Sequence, residues 1–165
     1  TDEIHVYTRS DACGAAEIWA LMFGKKQEDL LGIGVYGDPG LAQAVLQDPA
    51  GIGFNNIGYV YDSNTRLPIP GIKIVPIDLD NNGNIDDAES FYDSIDEITN
   101  AIASDRYPSP PARDLYFVIN GKPLNNKVLD EFMKWVLTEG QKYVGETGYV
   151  SLSGEKISSG LKALD

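Results

Sequence analysis

The sequence predicts an α/β fold with a largely parallel sheet. Three observations carry that expectation: short β-branched and aromatic runs with an alternating pattern, apolar residues at helical spacing between them, and the repeated alternation of the two along the chain. The 165 residues suffice for a buried core, and a hydrophobic content of 42% suits a globular protein.

Ile4, Val6 and Tyr7 mark the first strand, and Glu17, Ile18, Leu21, Met22 and Phe23 mark the first helix. Residues 32–37 form a G-x-G-x-x-G. A dinucleotide fingerprint needs that pattern directly after a strand. Here it follows a helical stretch and a polar linker, so the expectation is a short strand over 33–36 and then a helix. Asp38 would cap that helix with Pro39 at its first position. Leu41, Ala44 and Val45 would be its buried face.

Residues 51–54 and 58–61 read as short strands, Pro68, Pro70 and Gly71 as a turn, and Ile72, Ile74, Val75 and Ile77 as a further strand. Ser94 and Glu97 form a capping box before a helix carrying Ile95, Ile98, Ala101 and Ile102. Proline keeps 107–112 extended, and a strongly apolar strand is expected over 115–119. Val128, Leu129, Phe132, Met133, Val136 and Leu137 recur at helical spacing until Gly140 interrupts them. Tyr149, Val150 and Leu152 make a short extended piece before the tail.

The net charge of −12 repels nucleic acid and anionic lipid surfaces at long range. An anion site on such a chain must work through local dipoles and a few placed cations. No apolar run approaches the length of a membrane span. No signal-peptide pattern opens at Thr1, so a mature, trimmed or partial chain is expected. Cys13 is the single cysteine and His5 the single histidine, which excludes an internal disulfide and a histidine-rich metal site. His5 lies in an alternating strand and reads as a structural residue rather than a member of a catalytic triad.

The segment most informative about function is residues 8–17, Thr-Arg-Ser-Asp-Ala-Cys-Gly-Ala-Ala-Glu. A strand that ends on small residues opening a helix leaves backbone N–H groups pointing one way, at the positive end of the helix dipole. That arrangement attracts a small tetrahedral anion, and Arg9 adds a full charge with a two-pronged donor. The same residues also suit a plain strand-to-helix turn, with Arg9 a surface arginine paired with Asp11.

Residues 78–89 read Asp-Leu-Asp-Asn-Asn-Gly-Asn-Ile-Asp-Asp-Ala-Glu and match a twelve-residue EF-hand loop. Asp78, Asp80 and Asn82 offer side-chain oxygens, Gly83 permits the sharp turn, and Asn84 offers its carbonyl. Ile85 would pin the loop to the core, Asp86 would ligate directly or through water, and Glu89 would close the shell. Ca²⁺ needs six to eight hard oxygens around one point, and a tight turn converges them. An acidic turn that merely caps the following helix is the other reading. The β-patterned lead-in and the lack of a second hand point to a structural Ca²⁺ in a strand–loop–helix setting rather than to a sensor.

Arg9-Ser10-Asp11-x-x-Gly14 after a strand resembles the phosphate loop of extracytoplasmic phosphate-binding proteins of ABC transporters. Gly37-Asp38-Pro39-Gly40 and residues 48–54 are similar to that family's next helix and glycine-flanked strand. Residues 115–119 resemble the strand that returns between lobes, and 135–149 its C-terminal region; the inserted acidic loop is most like archaeal members. The resemblance implies a periplasmic-binding-protein-like lobe of type II, three-layered with a mostly parallel mixed sheet. It implies no enzymatic activity. It also implies a chain split into an anion-binding lobe, 1–113, and a return strand with C-terminal helices, 114–165, that would pack on an absent first lobe of about a hundred residues. Its expected partners are phosphate, a transporter permease, and that lobe or a second copy of the chain. The expected location is extracytoplasmic, with an anchor in the full-length protein.

By the same resemblance Arg9 clamps phosphate, Asp11 orients Arg9 and accepts a proton from the ligand, and Ser10, Cys13, Gly14 and Ala15 complete the loop, the last three through their amides. Cys13 and Ala15 stand where the family commonly has hydroxyl residues. Two readings of other classes accompany this one: a phosphoester hydrolase, for which Arg9 precedes Cys13 in the wrong order, and a calcium-stabilised surface interaction module.

Overall fold

The computed structural model describes residues 3–122 and 126–164. The chain divides into two compact units, Thr1–Arg113 and Asp114–Asp165. The first holds a three-stranded sheet in the order β2-β1-β3, with β1 at His5–Arg9, β2 at Ile33–Val35 and β3 at Gly51–Gly53. All three strands run parallel, with Tyr7 opposite both Ile33 and Gly53. Parallel neighbours need crossovers, and these are α1 (Gly14–Met22) between β1 and β2 and α2 (Gly37–Gln47) between β2 and β3. The sheet is thus α/β as expected, though its described strands are wholly parallel rather than mixed.

Leu41 of α2 is buried, and a Cβ on Gly53 would stand 2.8 Å from it. Helix and strand can approach this closely because residue 53 has no side chain. Tyr7 and His5 fasten the far end of β1 to the C-cap of α2. The Tyr7 hydroxyl donates to Asp48 Oδ2 at 2.9 Å, and His5 Nδ1 lies 2.6 Å from the same oxygen. His5 is therefore the structural partner that its place in the strand suggested.

α3 (Ile95–Ala103) begins as its capping box predicts: the Ser94 hydroxyl accepts from the Glu97 amide at 3.2 Å. Glu97 reaches back one residue further than a standard box, accepting from the Asp93 amide at 3.2 Å. The buried face of α3 joins an aromatic core of Tyr61, Phe91 and Tyr92. Phe91 stacks on Tyr92 at 4.6 Å between centroids and meets Tyr107 edge-on at 6.1 Å. The Tyr61 hydroxyl is buried and donates to the Tyr92 carbonyl at 2.8 Å. Burial pushes the Tyr107 phenol up to about 12.

Three expected strands do not form. Residues 58–61 close as a 3-10 turn, Ile57–Tyr59, started by the Asn56 side chain accepting from the Gly58 amide. Residues 72–77 and 115–119 lie in no strand. Residues 72–77 carry Pro76, which lacks a ladder donor, and the Ile77 amide goes to the Tyr92 hydroxyl at 3.3 Å. For 115–119 the apolar pattern is present, but no described segment pairs with it, and Val118 is 94% exposed.

α2 starts at Gly37 with Tyr36 as its cap, so Asp38 lies inside the first turn instead of capping it. Its carboxylate is released for another partner.

The second unit contains α4 (Lys127–Leu137) and α5 (Gly154–Leu164). α4 ends before Gly140, which sits in a 3-10 turn under the Trp135 ring. α5 falls in the stretch expected to be a tail. Its signal was Ile157, Leu161 and Leu164 at helical spacing.

Candidate functional site

In open parallel sheets, ligands bind beyond the carboxyl ends of the strands, where successive crossovers leave in opposite directions. That point here is the end of β1, flanked by β2 on one side and β3 on the other. The segments leaving β1 and β2 bring Arg9, Asp11 and Asp38 together.

Arg9 and Asp11 face each other side-on, with Nε to Oδ1 at 2.8 Å and Nη2 to Oδ2 at 2.5 Å. Arg9 Nη1 donates to Asp38 Oδ1. The arginine side chain is only 8% exposed. Asp11, chiefly through these bonds, holds the guanidinium charged well above its ordinary range. Asp11 itself lies well below the usual carboxylate range, first because of Arg9 and then because its Oδ1 accepts the Gly37 amide at 3.1 Å. Asn55, following β3, donates to the Asp38 carbonyl at 2.8 Å and ties the third strand's exit to the group. Arginine has five N–H donors; three are engaged by these bonds, and two remain without an acceptor among the described residues.

The other predicted loop residues divide. Ser10 is exposed, and its amide is spent on the Val35 carbonyl at 3.0 Å. The Cys13 amide, expected to face an anion, instead donates to Gln27 Oε1 at 3.2 Å. Gln27 is itself held by the Asp11 carbonyl, to which its Nε2 donates at 2.8 Å. The Cys13 thiol caps α1, accepting from the Ala16 amide at 3.4 Å. Among the described residues no acceptor meets the amides of Gly14 and Ala15. Two residues went unassigned to this site in the sequence. Asp38 is one; Arg113 is the other, its guanidinium packed on Gly14, where a Cβ would stand 2.6 Å from Nη2. Asp38 had a readable position at a helix start, whereas nothing local to Arg113 points to Gly14.

The acidic loop builds a separate cluster. One carboxylate oxygen each from Asp78, Asp80 and Glu89 lies within 4.8 Å of the others. Asp78 accepts the amides of Asn82 and Gly83 at 3.2 and 2.8 Å. Gly83 takes φ +83°, the left-handed turn for which glycine was expected there. Asn82 Nδ2 spans Asp80 at 3.0 Å and Asp86 at 2.9 Å, and the Asn84 amide donates to Asn82 Oδ1 at 2.8 Å. Glu89 is 5% exposed and accepts the amides of Leu79 and Asp86 at 2.6 and 3.0 Å. The flanks differ from expectation. The lead-in is not a strand, α3 starts only at Ile95, and Ile85 is 43% exposed rather than a core pin. A cavity of about 310 Å³ borders the loop, lined by Leu79, Asp80, Asp86, Ala88, Glu89 and Arg106.

A family model described as the PBP superfamily domain matches residues 1–139, most of the chain. The chain belongs to the PBP superfamily. PBP superfamily membership agrees with the parallel sheet and points to a solute-binding role. Members are typically binding proteins rather than enzymes. No curated protein matches the chain. Among the described residues no helix is long and apolar enough to cross a membrane.

Proposed function

We propose that the chain binds inorganic phosphate at the end of β1, as part of the solute-binding component of an ABC importer working outside the cytoplasm. The observation that carries this reading is the Arg9–Asp11–Asp38 group beside the unaccepted amides of Gly14 and Ala15. Two remaining Arg9 donors and two helix-opening amides suit the oxygens of a tetrahedral anion. Asp11 and Asp38 offer only acceptors. They favour an oxyanion that still carries a proton and repel one that is fully deprotonated, which separates hydrogen phosphate from sulfate.

Hydrolysis of a phosphoester finds no support in the same geometry. The Cys13 thiol is occupied as the cap of α1, and His5 lies at the opposite end of β1.

We further propose that residues 78–89 hold one structural Ca²⁺ through Asp78, Asp80, Asn82, Asn84, Asp86 and Glu89. Three converging carboxylate oxygens support it. The ion would offset their mutual repulsion and fix the surface excursion that precedes the aromatic core.

Titration calorimetry with phosphate and with sulfate tests the ligand. Heat with phosphate and none with sulfate is expected, and Asp11→Asn should narrow that difference by removing an obligate acceptor. Equal binding of both ions by the wild type would overturn the assignment.

A further inference from the structure

Arg9, the cation that the sequence marks as the anion clamp, has its charge already answered. It is bound by two carboxylates, so Arg9, Asp11 and Asp38 together carry a net charge of −1. A phosphate arriving at Gly14 and Ala15 therefore meets two amide dipoles and a group of its own sign.

Arg113 closes the first unit, and residues 107–113 fold it back toward α1. The Ala112 amide donates to the Pro108 carbonyl at 3.0 Å, and the Ser109 hydroxyl to the Ala112 carbonyl at 2.8 Å. The guanidinium then lies against Gly14: a Cβ there would stand 2.6 Å from Nη2 and 3.1 Å from Nη1. All three nearest atoms belong to this guanidinium, so the absence of a side chain at residue 14 is what admits it. No carboxylate among the described residues pairs with Arg113, Glu17 of the same helical turn included. An unpaired guanidinium beside the positive end of a helix is a like-charge contact. An oxyanion placed between the two turns both halves of that repulsion into attraction.

Resting on the phosphate reading, we infer that Arg113 is a ligand-binding residue of the anion site and supplies the positive charge that Arg9 has given to Asp11 and Asp38. Arg9 shapes and orients the site; Arg113 neutralises what enters it. The site charge without ligand is then zero instead of −1, which makes binding of a dianion feasible on a protein of net charge −12.

Amide NMR shifts of Gly14 and Ala15, followed while inorganic phosphate is added at constant ionic strength, test the assignment. In the wild type both amides move and saturate. Arg113→Gln should need about tenfold more phosphate or worse, the loss expected for one charge-assisted contact. Arg113→Lys, which keeps the charge and loses the fork, should fall between the two. Without phosphate, Arg113→Gln should melt no lower than the wild type, since the guanidinium has no carboxylate partner among the described residues to lose and its like-charge contact with the helix end is relieved. Saturation of Arg113→Gln at the wild-type phosphate concentration would overturn the role of Arg113 and leave the phosphate reading standing. Amides that stay still in the wild type throughout would overturn both.

Discussion

Nη1 of Arg9 donates to Oδ1 of Asp38, joining the last residue of β1 to the first turn of α2 across 29 positions of sequence. With Asp11 on the other edge of the guanidinium, this contact makes Arg9 a junction between two strand exits. The pair fits the start of α2 two residues earlier than expected: with Tyr36 as cap, Asp38 keeps its carboxylate free to turn toward the arginine.

Removing the guanidinium should cost stability as well as binding. Arg9→Ala leaves Asp11 and Asp38 near each other without their shared cation, and breaking a largely buried charge pair costs about 3 kcal/mol. Urea unfolding of wild type and variant measures the loss. A variant as stable as the wild type would show that the junction contributes nothing to the fold.

The Arg9–Asp11 pair also sets an acid limit. Asp11 titrates well below the usual carboxylate range in the folded protein, while an unfolded aspartate takes up its proton near pH 3.9. The unfolded state therefore binds protons first as pH falls. The stability gap between wild type and Asp11→Asn should be constant above about pH 5 and shrink progressively below about pH 4. Unfolding midpoints collected from pH 7 to pH 3 give the profile, and a gap that widens in acid contradicts the pairing.

Calcium should raise the melting temperature through the 78–89 loop. At free Ca²⁺ a hundredfold above its dissociation constant the gain is about 2.7 kcal/mol. Glu89→Gln should abolish the calcium-dependent rise, because the loop loses the residue that closes its shell. Calorimetric scans in Ca²⁺ and in chelator decide the matter, and identical scans for the wild type remove the metal.

The aromatic core beneath that loop should be the most sensitive packing site of the first unit. Phe91 is fully buried between Tyr92 and Tyr107, and its truncation to alanine should cost about 3–5 kcal/mol. The milder Tyr61→Phe keeps the ring and leaves the buried Tyr92 carbonyl without its donor, at about 1–3 kcal/mol. Chemical denaturation ranks the two, and the reverse order would place the stabilisation in the hydrogen bond rather than in packing.

Elements written in adjacent residues were legible in the sequence. The Arg9–Asp11 pair spans two positions, the Ser94 cap spans three, and the acidic turn spans twelve, so spacing alone brings their groups together. The strands proposed over 72–77 and 115–119 were not legible in the same sense. Their side-chain pattern suits a strand, but a strand exists only where another segment accepts its hydrogen bonds, and that is a property of distant residues.

The sequence by itself determined an α/β chain, a small-residue strand exit carrying Arg9 and Asp11, and a twelve-residue acidic loop, because each depends on local periodicity or fixed spacing. Only the tertiary structure decided that Arg9 is shared between two carboxylates and that Arg113 rests on Gly14. Those contacts join residues 29 and 99 positions apart, and charge at such range follows the path of the backbone rather than the order of the letters.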